Sequence, residues 1–161
     1  MNMPATAKAP MQSGHYGRFF LMLGVSFVVM NALTYANLEQ ADHFYLSTNR
    51  LYVTFLMISA MALIMLGFMR AMYTDRRMNQ LIIGGSVLVF ATALFCIRNQ
   101  VLINDQRFMQ SMIPHHSIAI LVSKRAELKD PEVKELAQSI ITAQEREIAQ
   151  MKRILVRMDQ K

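Results

Sequence analysis

Tryptophan is absent from this chain, and cysteine occurs once, as Cys96, inside an apolar run. One cysteine excludes a disulfide framework or a CxxC metal site within a single chain. Cysteine usage therefore says nothing of the compartment. Charge is scarce as well: 17% of the residues are charged, against about a quarter in an average soluble domain. The scarcity is uneven. Residues 1–97 hold six Lys/Arg and three Asp/Glu, whereas residues 98–161 hold eleven and eight. The formal net charge of +6 is thus shared by the two halves, and neither has a dense basic run with interleaved aromatics. That pattern argues against a nucleic-acid partner and fits basic residues flanking membrane helices. Also missing are a nucleotide-binding loop, a nucleophile–base arrangement and any Glu-x-x-His pair. A di-iron carboxylate enzyme would need such pairs, so the expectation is a protein that is not an enzyme.

Three long runs lack charge altogether: 19–38, 51–69 and 81–97. At about 1.5 Å per residue each covers roughly 25–30 Å, close to the hydrocarbon thickness of a bilayer. Lipid offers the backbone no hydrogen-bond partners, so each run is read as a helix. The third is the shortest, and Val101, Leu102 and Ile103 just beyond it allow that helix to continue out of the membrane. The first run is longer than the apolar core of a signal peptide, and Thr34-Tyr35-Ala36 is a weak cleavage match. It is read as an uncleaved anchor.

The flanks suggest an orientation. The N-terminal tail, residues 1–18, carries Lys8 and Arg18, and the second loop carries Arg70, Arg76 and Arg77 against Asp75. The first loop, Glu39 to Arg50, has one basic and two acidic residues. Positive loops stay in the cytoplasm. The tail and second loop are therefore expected inside, and the first loop and residues 98–161 outside. In a bacterium this is a multi-pass inner-membrane protein with a periplasmic C-terminal domain.

That domain reads as an antiparallel helical hairpin, so the fold class is all-α. A first helix over 104–128 carries Pro114, which either kinks it or starts it. Asp130 is placed to cap a second helix, with Pro131 at its first position. In residues 131–158, Val133, Leu136, Ala137, Ile140, Gln144, Ile148, Met151, Leu155 and Met158 recur at steps of three and four. This is one apolar stripe, and the short turn makes the first helix its antiparallel neighbour.

The chemistry-bearing stretch is Phe108-Met109-Gln110-Ser111-Met112-Ile113-Pro114-His115-His116. On a helix Met109, Met112 and His116 form a short line, with His115 about 100° to one side. Met151 lies on the facing stripe. Thioethers and imidazoles together suit a soft ion, Cu(I) above all, with Ag(I) as its mimic. Thioether sulfur has no proton to lose near neutral pH, so such a site resists acidification. It also avoids the thiol oxidation that burdens cysteine. The plain alternative is that the methionines pack a core and the histidines are a polar helix turn.

MIPHHSIAI at 112–120, followed by DPEVKELAQSIITAQEREIAQMKRIL at 130–155, resembles the domain of unknown function family 305. Its hallmark is a Met-x-x-His-His stretch on one helix and a Gln-x-x-Glu-Ile-x-x-Met stretch on the next. Gln144, Glu147, Ile148 and Met151 match the second element, and Asp105, Phe108 and Met112 match the approach to the first. The chain also looks like a short subgroup with three membrane spans before the domain. The resemblance implies a ferritin-like helical bundle, of which this hairpin is half. It also implies copper or silver binding through Met and His, in copper resistance. Many members carry a methionine six residues after the second His, where this chain has Val122. The expected ligand core is Met112, His115, His116 and Met151, with Met109 and His43 as lesser candidates.

His43 in the first loop would either join the metal or serve a structural role, which is favoured. Met57, Met61, Met65 and Met69 recur every four residues in the second run, as a soft-ion relay or, by preference, as packing. Gly84-Gly85 would permit close helix approach, and Asn31 should face another helix. A lone hairpin is marginal, which predicts a homodimer bringing two hairpins together beside the lipid and metal partners.

Overall fold

The computed structural model describes residues 12–160; the first eleven residues, Lys8 among them, and Lys161 lie outside the described residues. Five α-helices follow one another: α1 (Gln12–Leu33), α2 (Thr48–Phe68), α3 (Arg76–Arg98), α4 (Asp105–Arg125) and α5 (Pro131–Asp159), with a short 3-10 turn at Ala41–His43 before α2. No strand occurs among the described residues. Three helices are long and apolar enough to cross a membrane: His15–Leu33, Thr48–Phe68 and Arg76–Arg98.

The helix ends depart from the hydropathy runs for identifiable reasons. α1 starts ahead of Phe19 and stops at Leu33, so the expected span 19–38 shifts towards the N-terminus. Its start is held by Tyr16, whose hydroxyl donates to Asn79 Oδ1 at 2.8 Å. Its last carbonyls are taken by turn bonds, Tyr35 N–H to Ala32 O and Ala36 N–H to Leu33 O. The Thr34 carbonyl goes to the Arg50 guanidinium. α2 begins at Thr48 because Ser47 caps it, its Oγ accepting from Arg50 N–H. α3 begins at Arg76 because the Asp75 carboxylate accepts from Arg77 N–H and Met78 N–H at 2.8 and 3.2 Å.

α3 does not continue into the hairpin. It ends at Arg98, and the turn after it places Gln100 and Leu102 at φ 49° and 59°. A left-handed conformation at a residue with a Cβ costs about 1–2 kcal/mol. Tyr52 O–H to Val101 O at 2.9 Å and an Arg107 N–H to Leu102 O at 2.8 Å hold the turn. α4 is capped by Asn104 and carries Pro114 in its interior, ending at Arg125 rather than 128. α5 starts as expected, with Asp130 Oδ1 accepting from Glu132 N–H and Val133 N–H and Pro131 in the first turn.

α2 packs on both α1 and α3. One core gathers Tyr16, Phe19, Ala62, Leu66, Tyr73 and Ile82, with the Tyr16–Tyr73 and Phe19–Tyr73 ring centroids each 5.3 Å apart. Further along the same helices Asn31 Nδ2 donates to Thr54 Oγ1 at 3.1 Å, so Asn31 does face a neighbouring helix. A second core joins α4 and α5 through Met109, Ile113, Ile120, Ile148 and Leu155. Gln106 meets Asp159, and Lys124 meets Glu145. The two helices therefore run in opposite directions. α5 has 29 residues against 21 in α4, so its first turns outrun their partner. Val133 and Leu136, read as part of the buried stripe, are exposed there.

Between the cores lies a polar seam, where the segment joining α1 to α2 meets the hairpin. Ser47 Oγ donates to Ser111 Oγ at 3.1 Å. Lys152 Nζ pairs with Asp42 at 2.6 Å, and Lys124 Nζ reaches both Glu39 and Glu145. The first loop and the hairpin thus share one end of the molecule.

Candidate functional site

α4 has two working faces, because it has two partners. One face meets α5 and carries Met109, Ile113, His116 and Ile120. The other meets the start of α2 and the turn before it, and carries Ser111, Met112 and His115. The four expected ligands on α4 are divided between them, while Met151 comes from α5 and His43 from the turn before α2.

On the α5 side Met109 is buried in the second core, and Met151 packs against the same cluster. Each thioether therefore has a packing role. His116 Nδ1 lies 3.2 Å from Glu147 Oε2, yet the contact lacks hydrogen-bond alignment and the buried nitrogen has no directed partner. Burial holds this imidazole below the usual histidine range; Glu147 opposes that shift and His115 adds to it. The ring is consequently neutral at neutral pH, with a lone pair to offer. On α5, Gln144, Glu147, Ile148 and Met151 lie on one face at spacings of three and four, so the carboxylate and the thioether sit one turn apart.

On the span side Met112 and His115 line one cavity of about 530 Å³, together with Asn37, Ser47, Arg50 and Val53. Here Met112 shares the cavity with His115 at i+3. The two adjacent imidazoles diverge, with ring centroids 6.1 Å apart.

His43 is buried at the seam, its Nδ1 2.9 Å from Ser117 Oγ. The same oxygen accepts from Glu39 N–H at 2.8 Å. Asp42 Oδ1 lies 3.7 Å from Nε2. Burial first, and Lys152 next, hold this imidazole below the usual range, against Asp42 and Glu39. The loop histidine is thus a pin between loop and hairpin. Among the described residues no three His, Cys, Asp or Glu side chains converge at metal-ligand spacing; a site here has to draw on sulfur.

Val122 is 55% exposed, so a methionine at this position would face the surface rather than either face of the site. In α2, Met65 packs on the Tyr16–Phe19 core, whereas Met69 is exposed at the helix end. Among the described residues no other element comes within 4 Å of the place a Cβ would take on Gly84 or Gly85, so they make no close helix approach there. Sequence reasoning missed Arg50 and Ser117. Arg50 was counted only as a loop charge, and Ser117, next to the His pair, carried no signal of its own.

Comparison with known proteins bears on the hairpin first. The sequence model named Domain of unknown function (DUF305) matches residues 98–161. "Uncharacterized protein L153" of Acanthamoeba polyphaga mimivirus is 36% identical over 112 residues, covering 68% of this chain and 72% of that protein. No solved structure matches. A match of 112 residues cannot fit within the last 64, so the similarity reaches from the hairpin into the spans. By this relative and by its hairpin, the chain belongs to the DUF305 family.

Proposed function

We propose that the protein is a membrane-anchored binder of soft monovalent metal ions, Cu(I) with Ag(I) as its mimic, serving copper buffering, delivery or resistance. The observation that carries this reading is His116, a part-buried imidazole whose buried Nδ1 has no directed partner and which faces Glu147, a turn from Met151. An imidazole nitrogen and a thioether sulfur suit a soft cation, and a carboxylate beside them offsets its charge. Met112 and His115 form a second soft pair, lining the seam cavity. The metal is cargo here, and the protein is read as a carrier with no reaction of its own. The hairpin is the half of a ferritin-like bundle that a second copy would complete. The charge of the flanks supports an N-terminus in the cytoplasm and a hairpin on the periplasmic side; a reporter fused after Lys161 should be active only outside the cytoplasm.

The second reading is a structural or interaction module. Met109 and Met151 favour it, because both already serve a core. Titration of the full-length protein in detergent with Cu(I) and Ag(I) under reducing conditions separates the two. The carrier should hold metal in whole-number ratio. His116→Ala and Met151→Leu should each weaken binding at least about tenfold, the loss of one ligand being worth more than 1.4 kcal/mol. Met→Leu nearly conserves volume, so it tests ligation rather than packing. Unchanged affinity in both variants puts the structural module ahead. Met112→Leu then tells whether the span-side pair belongs to the same site.

A further inference from the structure

Arg50 stands in the first turn of α2, half-buried, at the end of a helix apolar enough to cross a membrane. Its guanidinium donates to two carbonyls, Thr34 O and Pro114 O, the second at 3.4 Å, and stacks 4.3 Å above the Tyr35 ring. Carbonyls and an aromatic face orient the group, but none carries a full negative charge. Among the described residues no carboxylate pairs with Arg50. Elsewhere along the seam Asp42 pairs with Lys152, and Lys124 with Glu39 and Glu145. A partly desolvated charge without a counterion is costly, and the cavity beside it shows where one belongs.

That cavity is graded. Leu33, Val53 and Ile118 form an apolar wall, and Leu33 and Val53 are themselves exposed on the lipid-facing surface of α1 and α2. Asn37, Asn49 and Ser111 add hydrogen-bonding groups around Arg50, and no acidic residue lines the space. At about 530 Å³ it exceeds a single water or a small ion many times over. An amphiphile whose head is anionic and whose tail leaves along the apolar wall matches this gradient. Arginine matches phosphate in particular, through its planar fork of donors.

We infer that the seam cavity beneath α4 binds the phosphate head group of an anionic phospholipid, with Arg50 as its anchor and the Leu33–Val53 wall guiding the acyl chains into the bilayer. This rests on reading α1 to α3 as spans, and is independent of soft-metal binding on the α5 side. The lipid tethers the hairpin to the membrane surface through α4, since Arg50 holds both the end of α1 and the Pro114 carbonyl.

The test uses the full chain in nanodiscs of equal parts phosphatidylglycerol and phosphatidylcholine, with native mass spectrometry reading the lipid retained after release. Phosphatidylglycerol should be enriched about tenfold over phosphatidylcholine, as one charge-assisted contact suffices for that ratio. Arg50→Gln should bring the ratio near one. Because Arg50 also holds the seam, Asn37→Asp is the second variant: it leaves the clamp in place and sets a carboxylate in the cavity, and should abolish the enrichment too. Equal retention of both lipids in the unaltered protein overturns the inference, as does enrichment that survives in either variant. Complete displacement of phosphatidylglycerol by matching inorganic phosphate also overturns it, since the cavity would then be a free-anion site.

Discussion

α1 to α3 and α4 with α5 are built from helices of similar length, yet they hold themselves together differently. The spans gather an aromatic cluster near one end, Tyr16, Phe19 and Tyr73 with Ala62, Leu66 and Ile82, and add two polar pins, Tyr16–Asn79 and Asn31–Thr54. The hairpin buries a continuous row from Met109 to Ile120 on one helix and from Ile148 to Leu155 on the other. The difference follows from the solvent. Lipid is as apolar as leucine and leaves the spans little to gain by burial, whereas water drives the hairpin to cover its stripe. Where the two regimes meet, neither suffices, and the contact is made of hydroxyls, ion pairs and a buried imidazole.

The comparison can be broken most decisively at Ile113, which is fully buried at the centre of the hairpin core. Ile113→Ala is expected to cost the hairpin about 2–5 kcal/mol while the spans keep their helicity. Chemical unfolding in detergent, followed by hydrogen exchange in both regions, reads this out. Spans that melt together with the hairpin would show one cooperative unit instead of two.

The next effect belongs to the seam. His43 is held below the ordinary histidine range by burial, so the folded protein binds its proton less readily than the unfolded chain. Its contribution to loop docking is complete above the unfolded value of about 6.5 and is lost as pH falls from there through the folded value. Amides of residues 39–47 should exchange faster on acidification across that window, and His43→Gln should flatten the profile. An unaltered profile in the variant would show that His43 is not its source.

A smaller change is expected at Asp130, which caps α5. Asp130→Ala should cost about 1 kcal/mol, seen as faster exchange at the first α5 amides, with the spans unchanged. Smallest is the second pin within the spans. A double-mutant cycle of Asn31→Ala and Thr54→Val should return a coupling of about 0.6 kcal/mol, measured by reversible unfolding in mixed micelles. A coupling as large as the Ile113 effect would mean that polar contacts, not lipid-matched surfaces, hold the spans.

Much of this was legible before any coordinates. The charge-free runs located three helices, and the Asp130-Pro131 pair placed the start of α5 to the residue. α1 was not legible at either end. Gln12 to Arg18 carry no apolar signal, and their helix is secured by Tyr16 reaching Asn79. Tyr35 to Leu38 look apolar but unwind, because Arg50 draws the Thr34 carbonyl away. The candidate ligands scattered for a related reason. A helical wheel tells which residues of α4 share a face, but it assumes one partner. α4 has two, and a rotation chosen to bury Ile113 against α5 sends Met112 and His115 to the spans.

The left-handed turn at Gln100 and Leu102 has a mechanical meaning. Were the whole turn between Arg98 and Asp105 helical, α3 and α4 would be one straight rod, and the hairpin would be carried away like a flag on its pole. The bend folds the pole over, laying Ser111, Pro114 and Ser117 against the α1–α2 end. The joint is therefore a preloaded elbow: torque stored in two strained residues is balanced by the grip of the seam. Gln100→Gly with Leu102→Gly would slacken the elbow without removing one side-chain contact from the hairpin, leaving the grip alone to decide how tightly it is held down.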